Sequence, residues 1–338
     1  MLLQFHINDY LNKKLKILLN YLVAPLLFLW LSYSIYIAIT EQKDLATSWQ
    51  TIVHNFNSAS KWRLMLACAL MVLNWGLEAK KWQLLMMGIQ SLSYKRALRA
   101  IFSGQALALG TPNRIGEFAG RIVFLEEGNR LRGLSLSVVG SLAQIIVTFI
   151  MGVVGLMYVY NSLSDGVTIF QEISTLWLKG LLSILIVFSI LLTIFYYNLS
   201  WITKVVEKIK FVVKYRFVIE KLEDLHNKQL TKILFYSFVR YVVYVLQYVL
   251  LFQFFDVLLP WWQISCLVFV QLLILAIIPG IALAELGIRG KVSIALFGLL
   301  TTNTLGIIAT ATSIWMINLI FPALAGSLLI LGLKIVRK

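Results

Sequence analysis

Three groups of charged residues stand within or beside apolar stretches of this 338-residue chain. Arg114, Glu117 and Arg121 are spaced three and four apart, so a helix would carry all three on one face. Glu285 and Arg289 are again four apart, with Lys291 close behind. Arg240 stands alone inside the apolar run 231–255. A charge at the centre of a bilayer costs roughly 3 kcal/mol on insertion scales, so it turns toward a cavity or a partner. The first face is net positive, and arginine forks match phosphate oxygens. A helix beginning near Pro112 would add the positive end of its dipole, and Gly116 and Gly120 would let backbone approach closely. The chemistry these residues predict is the binding of an anion such as a phosphate group. Arg114 and Arg121 would hold the phosphate from one side, and Arg289 and Lys291 from the other. Glu117 and Glu285 would pre-position those cations or exchange protons, and Arg240 would need a carboxylate, a carbonyl or the anion itself. Blander roles stand beside these. Glu117 with Arg121, and Glu285 with Arg289, would neutralise each other. Arg114, Arg121 and Arg240 would snorkel to the headgroups. Gln105, Gln144, Gln247, Gln271 and Asn318 read as hydrogen-bond partners between helices.

The elements that must position these charges follow from composition. The chain is 60% apolar and 13% charged, with a mean hydropathy of +0.84. A soluble domain is nearer half apolar and a quarter charged, which leaves an all-α polytopic membrane protein. Full spans are predicted at 16–39, 64–88, 134–160, 176–197, 231–255 and 305–333. The first is too long for a signal peptide and is expected to stay as an anchor. Two shorter apolar stretches, 97–111 and 263–278, run into Pro112 and Pro279-Gly280. They are expected to be broken or re-entrant helices, whose irregular backbone other helices protect. Pro112, Gly116, Pro279, Gly280 and Gly287 are the expected breaks and hinges, with kinks at Pro25 and Pro322.

The 30 basic residues outnumber the 15 acidic ones, for a net charge of +15. With both termini in the cytoplasm of a bacterial cell, the inner segments hold 23 of the 30 basic residues. The excess is thus read as topology, and no nucleic-acid-binding pattern accompanies it. Segment 200–232 alternates apolar and basic residues at helical spacing, predicting an amphipathic cytoplasmic helix. Cys68 and Cys266 lie far apart in apolar runs and are read as inert thiols. His6, His54 and His226 are scattered. No metal-ligand spacing, Walker motif or other cofactor signature is seen.

The two broken stretches sit in similar surroundings: a full span, a short apolar segment with a glutamine (Gln105, Gln271), a proline break, a Glu–Arg pair, then a full span. On the topology above they enter from opposite sides. This predicts an inverted-topology repeat, with units at 64–160 and 231–333 joined by 161–230 in a single membrane domain.

The run Thr111-Pro112-Asn113-Arg114-Ile115-Gly116-Glu117, continuing to Arg121, resembles the T-P-x-R-x-G-E signature of the lysylphosphatidylglycerol synthase transmembrane-region family of flippase-like proteins. Pro279-Gly280 with Leu286-Gly287-Ile288-Arg289 resembles that family's second element, written P-G-x-x-G-x-R-E. The resemblance extends from about residue 15 to 333. One departure is Gly290, which stands where the family has an acid, while Glu285 lies upstream. The resemblance implies a lipid-handling membrane part. With the chain ending at Lys338, the soluble aminoacyl-transferase domain of two-domain members is not expected. The resulting expectation is a flippase-like inner-membrane protein that acts on an anionic phospholipid or a polyprenyl-phosphate-linked lipid. Its partners would be membrane lipids, a second copy of itself or a separate lipid-modifying enzyme. Two alternatives stay open: an intramembrane transferase on a lipid-phosphate substrate, with Glu117 as its acid or base, and a small-anion carrier.

Overall fold

The computed structural model describes residues 33, 36, 37, 40, 45–109, 111, 114–164, 175–201, 220–278 and 282–336. Among these residues every regular element is helical. The predicted span 16–39 lies almost entirely outside the described residues, as do residues 202–219 of the predicted amphipathic helix and Pro25, Pro112, Pro279 and Gly280.

Helix α1 (Leu45–Asn57) leads into α2 (Lys61–Met86). Helices α3 (Tyr94–Leu109) and α4 (Gly116–Ile122) flank the first break. Helix α5 (Arg130–Ser164) is about 52 Å long at 1.5 Å per residue, and α6 (Thr175–Tyr197) follows. The second half begins with α7 (Asn227–Phe254), and α8 (Trp261–Ile277) and α9 (Ala282–Phe297) flank the second break. The chain closes with α10 (Thr304–Trp315), a π-helical turn (Met316–Ile320) and α11 (Phe321–Val336). The π turn has a local cause. Pro322 has no N–H to give the carbonyl of residue 318, so the ladder widens just before it.

Four of these helices are long and apolar enough to cross a bilayer: Glu127–Asn161, Leu176–Tyr197, Asn227–Phe254 and Thr304–Ile330. They match four of the six predicted spans. The predicted span 64–88 is present as α2, which has the length but carries Arg63, Glu78, Lys80 and Lys81. The two short apolar stretches are short helices, α3 and α8, as expected from where the chain breaks.

Helix α2 packs along α7, α3 packs on α11 and α8 packs on α5. Glycines permit the last two approaches. A Cβ at Gly155 would stand 2.6 Å from the Cys266 carbonyl oxygen, and one at Gly326 would collide with the Phe102 carbonyl. Small residues at such contacts let the backbones approach closely, so van der Waals packing takes the place of the hydrophobic drive that is absent inside a bilayer.

Two apolar cores form at opposite ends of the shared helices. Trp75, Trp82, Leu85, Ile146 and Ile233 belong to one, and Ala67, Val147, Tyr241, Tyr248 and Phe252 to the other. The changeover falls between Ala67 and Trp75 on α2, between Ile146 and Val147 on α5, and between Ile233 and Tyr241 on α7. Asn74, Gln144 and Arg240 sit at or next to those three points, so the polar centre lies where the two cores meet.

Candidate functional site: a charged cavity between the two halves

The first break is shaped by Thr111 and two glycines. The Thr111 hydroxyl donates to the Leu107 carbonyl at 3.1 Å and accepts from the Gly116 N–H at 2.8 Å. A Cβ at Gly116 would come 2.7 Å from that hydroxyl and would strike the Leu107 backbone. Between them Arg114 takes a left-handed conformation, φ 57°, at a cost of about 1 kcal/mol for a residue with a side chain. Beyond it α4 crosses α3 with glycine against glycine: a Cβ at Gly120 would lie 2.6 Å from the Gly104 Cα. This close crossing carries the neighbouring Arg121 into the interior, where it is 4% exposed.

The expectation that one helical face holds Arg114, Glu117 and Arg121 is thereby corrected in part. Helix α4 begins at Gly116, not near Pro112. Glu117 and Arg121 pair along it. Arg114 reaches in from the turn, donating from Nη2 to Gln105 Oε1 at 2.5 Å and standing 3.8 Å from the Glu117 carboxylate. Neither Arg121 nor Arg240 snorkels to the headgroups.

The centre of the network is a residue that the sequence did not single out. Glu78 Oε1 accepts from Arg121 Nη1 at 2.9 Å, and Glu78 Oε2 meets Lys81 Nζ at 2.8 Å and the Arg240 guanidinium. Arg240 also donates from Nε to Asn74 Oδ1 at 2.9 Å and from Nη1 to Gln144 Oε1 at 3.3 Å. Its guanidinium carbon lies 5.7 Å from the Trp75 ring centre. Lys81, in the stretch 78–99 that the topology reading placed on the cytoplasmic side, has a side chain 2% exposed, and its ammonium also reaches the Gly140 carbonyl at 3.2 Å. Glu78 and Lys81 were legible only as a carboxylate and an ammonium three residues apart on a predicted span, a spacing that places them on one face. Glu78, Glu117, Lys81, Arg114, Arg121 and Arg240 together carry a net charge of +2.

In the second half, Glu285 and Arg289 pair at 3.2 Å. Arg289 donates to the hydroxyls of Tyr248 at 2.8 Å and Tyr244 at 3.2 Å, both on α7. Gln271 Nε2 donates to Ser293 Oγ at 2.8 Å. Gln247 donates to the Ala67 carbonyl at 2.8 Å. Both glutamines therefore tie helices together, as their apolar settings predicted. Gly287 is buried within α9.

The two clusters open on the same cavity, of about 720 Å³. Arg114, Glu117 and Arg240 line it with Glu78 and Lys81, and Glu285 and Arg289 line it from the second half. Ile145, Leu272, Leu275 and Ile288 give it an apolar stretch of wall. Arg121 lies behind this lining and Lys291 lies outside it, so Lys291 does not join the other six predicted residues. A cavity with a cationic wall and an apolar wall suits an amphiphile with a negative head.

Fold and site together define an integral membrane protein built from helices around a charged interior cavity. The chain belongs to the lysylphosphatidylglycerol synthase TM region family, whose pattern it matches over residues 17–326. No curated protein matches the chain.

Proposed function

We propose that this protein binds a membrane lipid with an anionic headgroup in the central cavity and moves it between leaflets of the bacterial inner membrane. The observation that carries the reading is the convergence of Arg114, Arg240 and Arg289, from three separate segments, on one cavity that also has an apolar wall. The headgroup phosphate would contact Arg114, which is the most exposed of these cations at 37% of its side chain. Arg121 and Arg240, tied to Glu78, would hold the cavity's shape and potential rather than meet the phosphate first.

An inverted-topology repeat with units 64–160 and 231–333 belongs to this reading. Three features support it. Each unit contributes a Glu–Arg pair four residues apart. The contact of α3 with α11 has a counterpart in that of α8 with α5, each with a glycine against a carbonyl. Asn74 and Arg240, which bond across the α2–α7 contact, are 166 residues apart, and the same offset carries Glu78 onto Tyr244. Carriers of this design rock one unit against the other around a central site.

The test has two parts. Native mass spectrometry of the detergent-purified full chain should find a co-bound anionic lipid. In proteoliposomes, Arg114→Ala should slow headgroup translocation while the fold is kept. Unchanged translocation by a folded Arg114→Ala variant would remove Arg114 from the site.

A further inference from the structure

A second cavity, of about 410 Å³, lies where the start of α2 meets the end of α7, and it shares no lining residue with the central one. Asn55, Ser60 and Arg63 line it from the end of α1 and the start of α2, and Gln253 and Asp256 line it from the end of α7. The two sides are pinned together. Asn55 Nδ2 donates to the Phe254 carbonyl at 2.8 Å, and the Phe56 and Phe254 rings meet edge to face with centres 5.1 Å apart. The α7 side is held in turn by Asn303, whose Nδ2 donates to the Phe255 and Asp256 carbonyls at 3.2 and 3.1 Å.

The lining holds a cation and a carboxylate that do not meet. Arg63 donates from Nη1 to the Ser60 hydroxyl at 3.1 Å. It has no carboxylate partner among the described residues, and its Nε is buried without any partner among them. Asp256 is exposed, and its carboxylate has neither an ion pair nor a hydrogen bond among the described residues. Each charge also stands at the wrong end of a helix. Arg63 lies in the first turn of α2, the positive end of its dipole, where there is no acidic residue. Asp256 follows the negative end of α7, whose last turn has no basic residue. Asp256 is left-handed as well, φ 59°, in a helix end closed by the Val257 N–H on the Phe252 carbonyl at 2.9 Å. Glycine is the usual residue there, because it has no Cβ to strain. Neither the helix nor the backbone favours a carboxylate at this position.

A single ligand can offset all of these costs. An anion alone would suit Arg63 and be repelled by Asp256, and a cation alone would meet the reverse. We propose that this second cavity binds a small zwitterion, with its anionic group on Arg63 at the start of α2 and its primary ammonium on Asp256 at the end of α7. Asn55, Ser60 and Gln253 add neutral hydrogen-bonding groups to the wall. A free amino acid and the head of an ethanolamine phospholipid share this chemistry. The site joins the first half of the chain to the second, and it stands independently of the anionic-lipid reading of the central cavity.

Titration calorimetry on the detergent-purified full chain tests this with four probes. β-Alanine and glycerophosphoethanolamine are zwitterions, ethanolamine carries only the cation, and glycerophosphoglycerol carries only the anion. At least one zwitterion should bind saturably, and the two single-charge probes should bind at least roughly tenfold more weakly, the order of one charge-assisted hydrogen bond. Arg63→Gln and Asp256→Asn should each weaken zwitterion binding by a similar factor. Asparagine tolerates the left-handed backbone, so the second variant keeps the fold. Arg114→Ala should leave zwitterion binding unchanged. Binding of β-alanine identifies a free amino acid as the source, and binding of glycerophosphoethanolamine alone identifies the lipid head. Absence of saturable binding by either zwitterion overturns the proposal, as does equal binding of the zwitterions and the single-charge probes. Binding that survives both Arg63→Gln and Asp256→Asn but falls in Arg114→Ala places the ligand in the central cavity and overturns it too.

Discussion

The two halves of the molecule solve one problem with different chemistry. Each brings an arginine from the helix after its break to the long helix that opens its half, and each arginine has a glutamate one turn earlier. In the first half, Arg121 meets a second carboxylate, Glu78 on α2, which also holds Lys81 and Arg240. In the second half, Arg289 meets two tyrosine hydroxyls on α7. The first arrangement depends on one buried carboxylate offsetting several cations at once. The second needs only neutral hydrogen bonds beside one ion pair. The difference teaches that Glu78 is the costliest group in the site to remove, although it is not one of the signature residues.

The strongest way to break this comparison is Glu78→Ala. It leaves Lys81, Arg121 and Arg240 buried around a missing counter-charge, and the expected loss is about 3–5 kcal/mol. Thermal unfolding in detergent should show a large fall in midpoint or a failure to express as a monodisperse protein. A midpoint within a degree of wild type would sink the claim that this carboxylate organises the first half.

A smaller effect is expected in the second half. Tyr248→Phe removes one acceptor from Arg289 but leaves the Tyr244 hydroxyl and the Glu285 carboxylate in place. The expected cost is about 1–2 kcal/mol, read in the same unfolding experiment. If it equals the Glu78→Ala loss, the two halves are not different in the way described.

Lys81→Met sharpens the asymmetry within the first half. Glu78 keeps Arg121 and Arg240, so no charge is stranded, and the methionine fills a similar volume. The expected change is within about 1 kcal/mol of wild type, despite near-complete burial of the lysine. The smallest stability effect belongs to Arg114→Ala, within about 0.5 kcal/mol because its side chain is the most open of the set. Its effect should instead fall on translocation. A variant that melts early and translocates normally would reverse the roles given to Arg114 and Glu78.

The helical class and much of the organisation were legible in the chain. Four apolar runs near the required length are four long apolar helices. The pairs Glu117–Arg121 and Glu285–Arg289 follow from four-residue spacing on a helix, which is local geometry. The T-P-x-R-x-G-E run pointed to Arg114. It did not reveal that Arg114 reaches in from a left-handed turn, because φ there is set by how Thr111 and Gly116 close against Leu107. The role of Lys81 was hidden for a related reason: a basic residue near the end of a predicted span looks like a topology signal alone until its partner, Glu78, is known.

What the sequence determined by itself, then, is the repertoire: helices of membrane length, two breaks, and the short-range ion pairs beside them. Periodicity fixes which residues share a face, and that information is local. The tertiary structure alone decided which faces meet. Arg240 and Glu78 are 162 residues apart, yet they share the central ion-pair network. The union of two charged clusters in one cavity likewise depends on close packing of glycine-bearing helices whose contacts no local pattern records.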